Sequence, residues 1–551
     1  MPASTTTNGQ GGGTTIGANG VSGVAQLDHI LASFTTLTDS PAINDALLVI
    51  EHSLQGPHAT AQTQQKILSS IPLGYFFQIL QQDHGYDTEQ IISKTCHVLE
   101  LLLKDQAYST LVQDAFLVAA LGQALESLSP RVRALGLSQV DKVSEEQDLQ
   151  VLRAALETPV FKAVVAGIGS GSIAIAERSK KTLFKLCETQ ERLEVVINDT
   201  GAFTQIKDLA NSRDSIVQLR MIETLTELAS KSNESTQLLE STGLLDSLKS
   251  GLTSADILAR FNILEILAEF GTTASGSEFL DHSGVLAGIA QVVENEAGQD
   301  SLALNAIVKL YGKLGAAEQV DFITLDMKFQ ILAQLERLLV GDDDYEPDES
   351  SKVEVMSAIG LIGGNVQNVE WVSQSQCSEE FITILQSLPR DVKVAWYHSL
   401  AQILACSPDP SQETEKIISA FYTRLDGDPH LQSPFSARLL ASAKSQSQEL
   451  AMSALSVMIP LAHYSFGVKV LAGQRDILAF LMDRSTDQSH SEKVAKHEVI
   501  VAMLNTAEEA KKSRGTDLLT ADQISRLDLH RRQGPFYQRA TATVSIQDIA
   551  A

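Results

Sequence analysis

The stretch that comes nearest to a phosphate cradle is Gly167-Ile-Gly169-Ser-Gly171-Ser172, set just ahead of a helical run. A dinucleotide-binding loop of that kind needs a strand before it, a helix after it and an acidic residue about 20 positions on. A helical pattern precedes this one, so its glycines read as a turn between two helices. The run Asp342-Asp343-Asp344-Tyr345-Glu346-Pro347-Asp348-Glu349 has the charge of a calcium loop without its spacing. An EF-hand alternates its ligands, places glycine at position six and ends on a bidentate glutamate. Tyr345, Glu346 and Pro347 break that order, which leaves a solvated or partner-facing loop. Cys96 and His97 are neighbours, and on a helix their side chains diverge by about 100°, so they read as a core thiol and a flanking imidazole. Cys96, Cys187, Cys377 and Cys406 lie far apart, with no CxxC pair, the usage of a reducing compartment. No HExxH, GxSxG or GxxxxGK[ST] occurs among the scattered histidines and serines. No residue is assigned to catalysis, to a cofactor or to a metal, and the protein is expected not to be an enzyme.

What does recur at fixed spacing is charge on helices. In the helical run from Asp214, Leu219, Ile222 and Leu225 share an apolar face, while Arg220, Glu223 and Glu227 fall on the opposite one by the 3.6 period. At a step of 42 residues Leu219 meets Phe261, Ile222 meets Leu264, Glu223 meets Glu265 and Glu227 meets Glu269. Extending that register predicts one row of Lys181, Glu223, Glu265 and Lys309, and a second of Lys185, Glu227, Glu269 and Lys313. With Arg220 these form a candidate partner-binding ladder on the long helices, which line the concave surface in armadillo-like arrays. The plainer alternative is an intramolecular ladder, with Lys181 pairing Glu223 and Lys309 pairing Glu265, exposed and worth little per pair.

The elements that would position this ladder are repeats. A small-residue mark followed by apolar positions appears at Thr200-Gly201-Ala202-Phe203, at Thr242-Gly243-Leu244-Leu245 and at Ser283-Gly284-Val285-Leu286, in steps of 42 and 41 residues. Pro159-Val160-Phe161 holds the equivalent place one step earlier, and Ser129-Pro130 opens a helix, since proline is tolerated in a first turn. A period of 40 to 47 residues with two or three helices per unit is the signature of armadillo or HEAT arrays. The fold class is therefore all-α, an armadillo/HEAT-like α-solenoid. Residues 1–22, rich in Ser, Thr and Gly, cannot bury enough apolar surface to fold and are expected to be disordered. The solenoid is expected over 23–513 with an acidic loop at 341–352, and a tail short of apolar periodicity over 514–551.

Lys and Arg number 42 against 68 Asp and Glu, a formal charge of −26. That balance argues against nucleic acid or an anionic membrane as the main partner, because both require clustered cations. It fits a basic protein surface, or simply solubility. No secretory leader is visible at Met1-Pro-Ala-Ser, and no apolar run approaches the ~20 residues of a membrane span. A soluble intracellular protein is expected, a monomer on its own.

Several short segments carry a resemblance: Gly243-Leu244-Leu245-Asp246-Ser-Leu248-Lys249-Ser250 followed by Asp256-Ile257, then Gly360-Leu-Ile-Gly363-Gly-Asn365-Val366, Asp483-Arg484-Ser485, Lys496-His-Glu498-Val499 and Gly534-Pro535-Phe536-Tyr537. In this order, over roughly residues 130 to 540, they resemble the 26S proteasome non-ATPase regulatory subunit 5 family. The resemblance implies a C-shaped armadillo/HEAT protein of the cytoplasm and also the nucleus, which is an assembly chaperone. It implies binding to the C-terminal region of one ATPase subunit of the 19S base, the first regulatory-particle ATPase. A second base ATPase and the large non-ATPase scaffold subunit would be indirect partners, and the chaperone would leave before the mature particle forms. The family gives no motif for individual contact residues, so the ladder stands on its own spacing. The alternative is a generic armadillo-like adaptor in transport or signalling. An importin-like groove would show regularly placed Trp and Asn, and Trp371 and Trp396 are the only tryptophans.

Overall fold

A computed structural model describes residues 20–55, 59–253, 256–296, 300–343, 345–427, 433–485 and 489–537. Every regular element among them is a helix. Residues 1–19 of the segment expected to be disordered lie outside the described residues, and its last three open the helix Gly20–Ser33. The chain forms two compact units, residues 1–224 and 225–551, divided within the helix Ser215–Ala229.

In the first unit the long helices Ser40–Gln55, Thr88–Leu103, Pro130–Glu145 and Ile173–Leu186 stack in sequence order as one layer. A second layer stacks Leu73–Ile79, Ala115–Glu126, Pro159–Ile168 and Thr200–Ala210 against it. Pro130 and Pro159 each stand in a first turn, where a missing N–H costs nothing. In the second unit the long layer is Ile257–Phe270, Ser301–Ala316, Glu349–Gly363, Arg390–Leu404, Gln448–Leu461 and His490–Arg514. Between successive members run shorter helices, among them Ala274–His282, Val285–Glu296 and Ile331–Val340. Each layer buries an apolar stripe such as Ile263, Leu264 and Leu267, or Ile307, Leu310 and Leu314, so no repeat holds a core without its neighbours.

The three small-residue marks are not equivalent. Gly243 and Gly284 take positive φ, 75° and 82°. At Gly243 the chain closes the preceding helix by Leu244 N–H donating to Leu239 O at 3.1 Å and Gly243 N–H to Glu240 O at 2.9 Å, a Schellman ending that glycine alone enters without strain. Gly201 instead lies inside the first turn of Thr200–Ala210, because Asp199 accepts from Ala202 N–H and starts the helix. The acidic loop is shorter than the 341–352 expected from charge. Asp348 accepts from Ser351 N–H at 2.7 Å and so begins the helix Glu349–Gly363 inside it. The tail is a second correction, because Ala521–Gln533 is helical and packs on His490–Arg514. Its start has a capping box, Thr520 with Gln523, a readable signal. With only Leu527 and His530 buried, it has no apolar period to betray it.

Candidate binding face on the long helices

Each long helix ends in carbonyls that need donors, and several are closed by a side chain from further along the chain. Lys142 Nζ donates to Leu103 O and, at 3.0 Å, to Gln106 O. Arg192, 5% exposed, donates to Leu186 O and Val143 O at 3.0 Å and to Glu146 O at 3.2 Å. Asn365 and Asn368 both donate to Gly315 O, at 3.0 and 2.8 Å. Tyr464 Oη–H donates to Leu404 O at 2.6 Å, and Thr506 Oγ1–H to Ala462 O at 2.9 Å. These donors differ in type from repeat to repeat, so no periodic residue announces them in the sequence.

On that frame the proposed ladder resolves into definite pairs. Lys309 Nζ lies 2.7 Å from Glu265 Oε2, and Lys313 pairs with Glu269, so these four residues come together as the register predicts. The first unit differs. Glu223 pairs with Lys180 at 3.1 Å, and Lys181, the residue expected there, is exposed one position on, about 100° further round the helix. Lys185 turns to Asp141 at 2.9 Å, beside Arg178 at 2.6 Å and the Thr182 hydroxyl at 2.7 Å. Asp141 is buried and collects two cations, which the spacing did not reveal. Arg220 is also withdrawn from the binding row, because Nη1 donates to Ser170 O at 2.8 Å and to Ile168 O at 3.4 Å, at the end of the helix Pro159–Ile168. Glu227 is exposed on Ser215–Ala229.

Half of the formal charge of −26 sits in residues 251–350, with eighteen carboxylates against five cations. All five cations are spent locally, Arg260 on Asp300, Lys309 and Lys313 as above, Lys328 on Asp281 and Arg337 on Asp342. The carboxylates left over give this stretch of the second unit a negative field without compensating lysine or arginine of its own.

The other chemical candidates fall to structure. Gly169 and Gly171 lie in the turn between Pro159–Ile168 and Ile173–Leu186, while Gly167 is in the last turn of the first of these helices. A Cβ on Gly167 would lie 2.3 Å from Ser179 Oγ, so close helix packing accounts for that glycine. All four cysteines are buried. Burial first, with Arg131 opposing and Glu100 adding, pushes the Cys96 thiol up to about 12, and burial raises Cys377 and Cys406 as well, which disfavours the reactive thiolate. Cys96 is in the core while His97 faces Glu51 and Glu100 at its surface. Among the described residues no group of three metal-ligating side chains converges, and no helix is long and apolar enough to cross a membrane.

Comparison with known proteins places this geometry. The profile of the proteasome non-ATPase 26S subunit family matches residues 29–551. The 26S proteasome non-ATPase regulatory subunit 5 of Bos taurus is 23% identical over 522 residues, covering 91% of this chain and 98% of its own. That of Homo sapiens is 22% identical over 531 residues, covering 91% and 98%. Among solved structures, a Kap121p mutant aligns with a TM-score of 0.50 at 12% identity, over 92% of this chain and 53% of that one. A designed armadillo repeat protein aligns over 46% of this chain and 98% of its own at 18% identity and a TM-score of 0.31. The fold is an all-α solenoid, and with the family profile running through nearly all of its length the chain belongs to the proteasome non-ATPase 26S subunit family.

Proposed function

We propose that the protein is a chaperone for assembly of the regulatory-particle base of the 26S proteasome, acting by binding and not by catalysis. Its client is a 19S ATPase subunit, the first regulatory-particle ATPase, held by its C-terminal region. A second base ATPase and the large non-ATPase scaffold subunit join the same precursor, and the chaperone departs before the mature particle forms. It works in the cytoplasm and nucleus and is a monomer until it meets its client.

The observation that carries this reading is the family match over residues 29–551. The long-helix layer supports it, because stacked repeats present a broad, semi-rigid face suited to a globular client. The excess of carboxylates over cations in residues 251–350 favours a client surface rich in lysine and arginine. Charge across an interface contributes more to encounter rate and register than to affinity, which suits a partner that must be let go.

Tagged protein recovered from lysate should bring down base ATPase subunits without the 20S core peptidases. Nuclear-transport cargo in their place, or no base subunit at all, overturns the proposal. The ladder has its own test. Glu265→Lys alone should weaken ATPase-subunit binding several-fold while costing less than about 1 kcal/mol of stability, the usual worth of an exposed pair. The exchange Glu265→Lys with Lys309→Glu restores the pair and the melting temperature but leaves the charges inverted. Binding that stays weak in the exchange assigns these residues to the client; binding that returns with stability assigns them to the solenoid alone.

A further inference from the structure

Three of the segments that carry the family resemblance, remote in sequence, meet in the second unit. Arg484, in the turn after the helix Arg475–Met482, donates from Nη2 to His530 O at 3.2 Å and Gly534 O at 2.9 Å, and from Nη1 to Gln533 Oε1 at 3.3 Å. Its guanidinium lies 5.6 Å from the centre of the Tyr537 ring. Lys496, buried on His490–Arg514, donates to Asp483 O at 3.0 Å. The His490 and Phe536 rings are 5.1 Å apart.

This cluster holds down the helix Ala521–Gln533, which has little else to hold it. Of its side chains only Leu527 and His530 are buried, while Ile524 and Leu529 stay exposed. Arg531 bridges Glu508 at 3.2 Å, and Gln523 donates to Ala472 O at 3.1 Å. At the centre the His530 imidazole, 6% exposed, lies 5.8 Å from that of His497. Neither ring nitrogen of His530 has a hydrogen-bond partner among the described residues. The charged groups that act on His530 are Arg484, Lys496 and His497, all cationic when protonated; Arg484 and Glu498 act on His497. The neighbouring carboxylates Glu508 and Asp528 are engaged by Arg531 and Arg532.

We propose that the helix Ala521–Gln533 is a proton-sensitive clasp, closed over His490–Arg514 while His530 and His497 are neutral and released when they are protonated. A protonated His530 in the closed clasp is a buried cation facing cations with no acceptor for either N–H, and release returns it to water. The closed state therefore resists protonation. Burial first, then Arg484, His497 and Lys496, lowers the His530 imidazole from 6.5 to about 4, and His497 moves the same way. The clasp is thus fully closed above the free value and weakens about tenfold per pH unit as pH falls from there towards about 4, with no further loss below.

Hydrogen exchange on the full chain at pH 7.5 and 5.0, corrected for intrinsic rates, tests the clasp. Amides of residues 521–537 should lose about thirtyfold of their protection at pH 5.0 by this linkage, while those of Gln448–Leu461 keep theirs. His530→Phe and His530→Gln, which cannot take a proton, should remove most of that pH dependence, and Arg484→Ala should lower protection already at pH 7.5. Equal protection of 521–537 at both pH values overturns the clasp. So does equal acid loss in Gln448–Leu461, which would mean unfolding of the unit, and so does a full pH dependence in both His530 variants.

Discussion

Gly360→Val is expected to destabilise the second unit by about 2–4 kcal/mol, read as a lowered denaturation midpoint. Gly360 lies where the helix Glu349–Gly363 crosses Arg390–Leu404. A Cβ there would fall 2.7 Å from Ser399 Cα and 2.5 Å from Gln402 Oε1. Gln402 can swing aside, but Ser399 Cα is backbone, so the two helices must separate. Separation is resisted on both sides of the crossing, because Gly363 meets Ile403 and, one repeat earlier, Gly315 meets Ile362 at 2.5–2.9 Å and Gly312 meets Ala358. The gain in helix propensity on leaving glycine, under about 1 kcal/mol, does not offset that loss. Gly288 supplies the control. It is also inside a helix, Val285–Glu296, but a Cβ would meet only Leu252 Cδ1 at 3.9 Å. Gly288→Ala is expected to be neutral or to stabilise by up to about 1 kcal/mol.

The second large effect is expected in the first unit. Arg192→Ala should cost about 2–4 kcal/mol, since it strips donors from three carbonyls at the ends of Pro130–Glu145 and Ile173–Leu186, each expensive to leave unpaired when buried. The Arg192 guanidinium is buried and addresses the three carbonyls through Nε, Nη1 and Nη2, one nitrogen to each. Arg192→Lys should therefore rescue little, because an ammonium cannot address three carbonyls in divergent directions. Increased exchange in residues 143–147 and 186–189, with Gln448–Leu461 unchanged, is the expected signature.

The fold was legible because its punctuation is chemical. Glycines at 243 and 284 sit where the backbone needs positive φ, and prolines at 130 and 159 where an amide is dispensable. The Glu265–Lys309 and Glu269–Lys313 pairs were legible for a related reason, since a constant repeat length maps one exposed position onto the next. That logic failed at Lys181, where a slip of one residue brought Lys180 to Glu223, and at Lys185 and Arg220, whose long side chains reach across the stack to Asp141 and to Ser170 O. Pairing in such cases depends on the reach of a flexible chain and not on spacing. The helix Ala521–Gln533 was missed because it docks through Leu527, His530 and the Arg484 hydrogen bonds, leaving no apolar stripe, although Thr520 and Gln523 mark its start.

The carbonyls that end the long helices have a consequence for biosynthesis. Lys142, Asn365, Asn368, Tyr464 and Thr506, and Arg192 in its bonds to Val143 O and Glu146 O, reach back to a helix completed earlier in the chain, over separations from 36 to 60 residues. A ribosome adds about 5–20 residues per second, so each of these helix ends leaves the exit tunnel seconds before its distant lock is synthesised. These long helices therefore set about one repeat behind translation, and the end of Gln448–Leu461 waits for Thr506. A chain arrested between two repeats would carry an open carbonyl terminus, a chemical mark by which an unfinished product differs from a finished one.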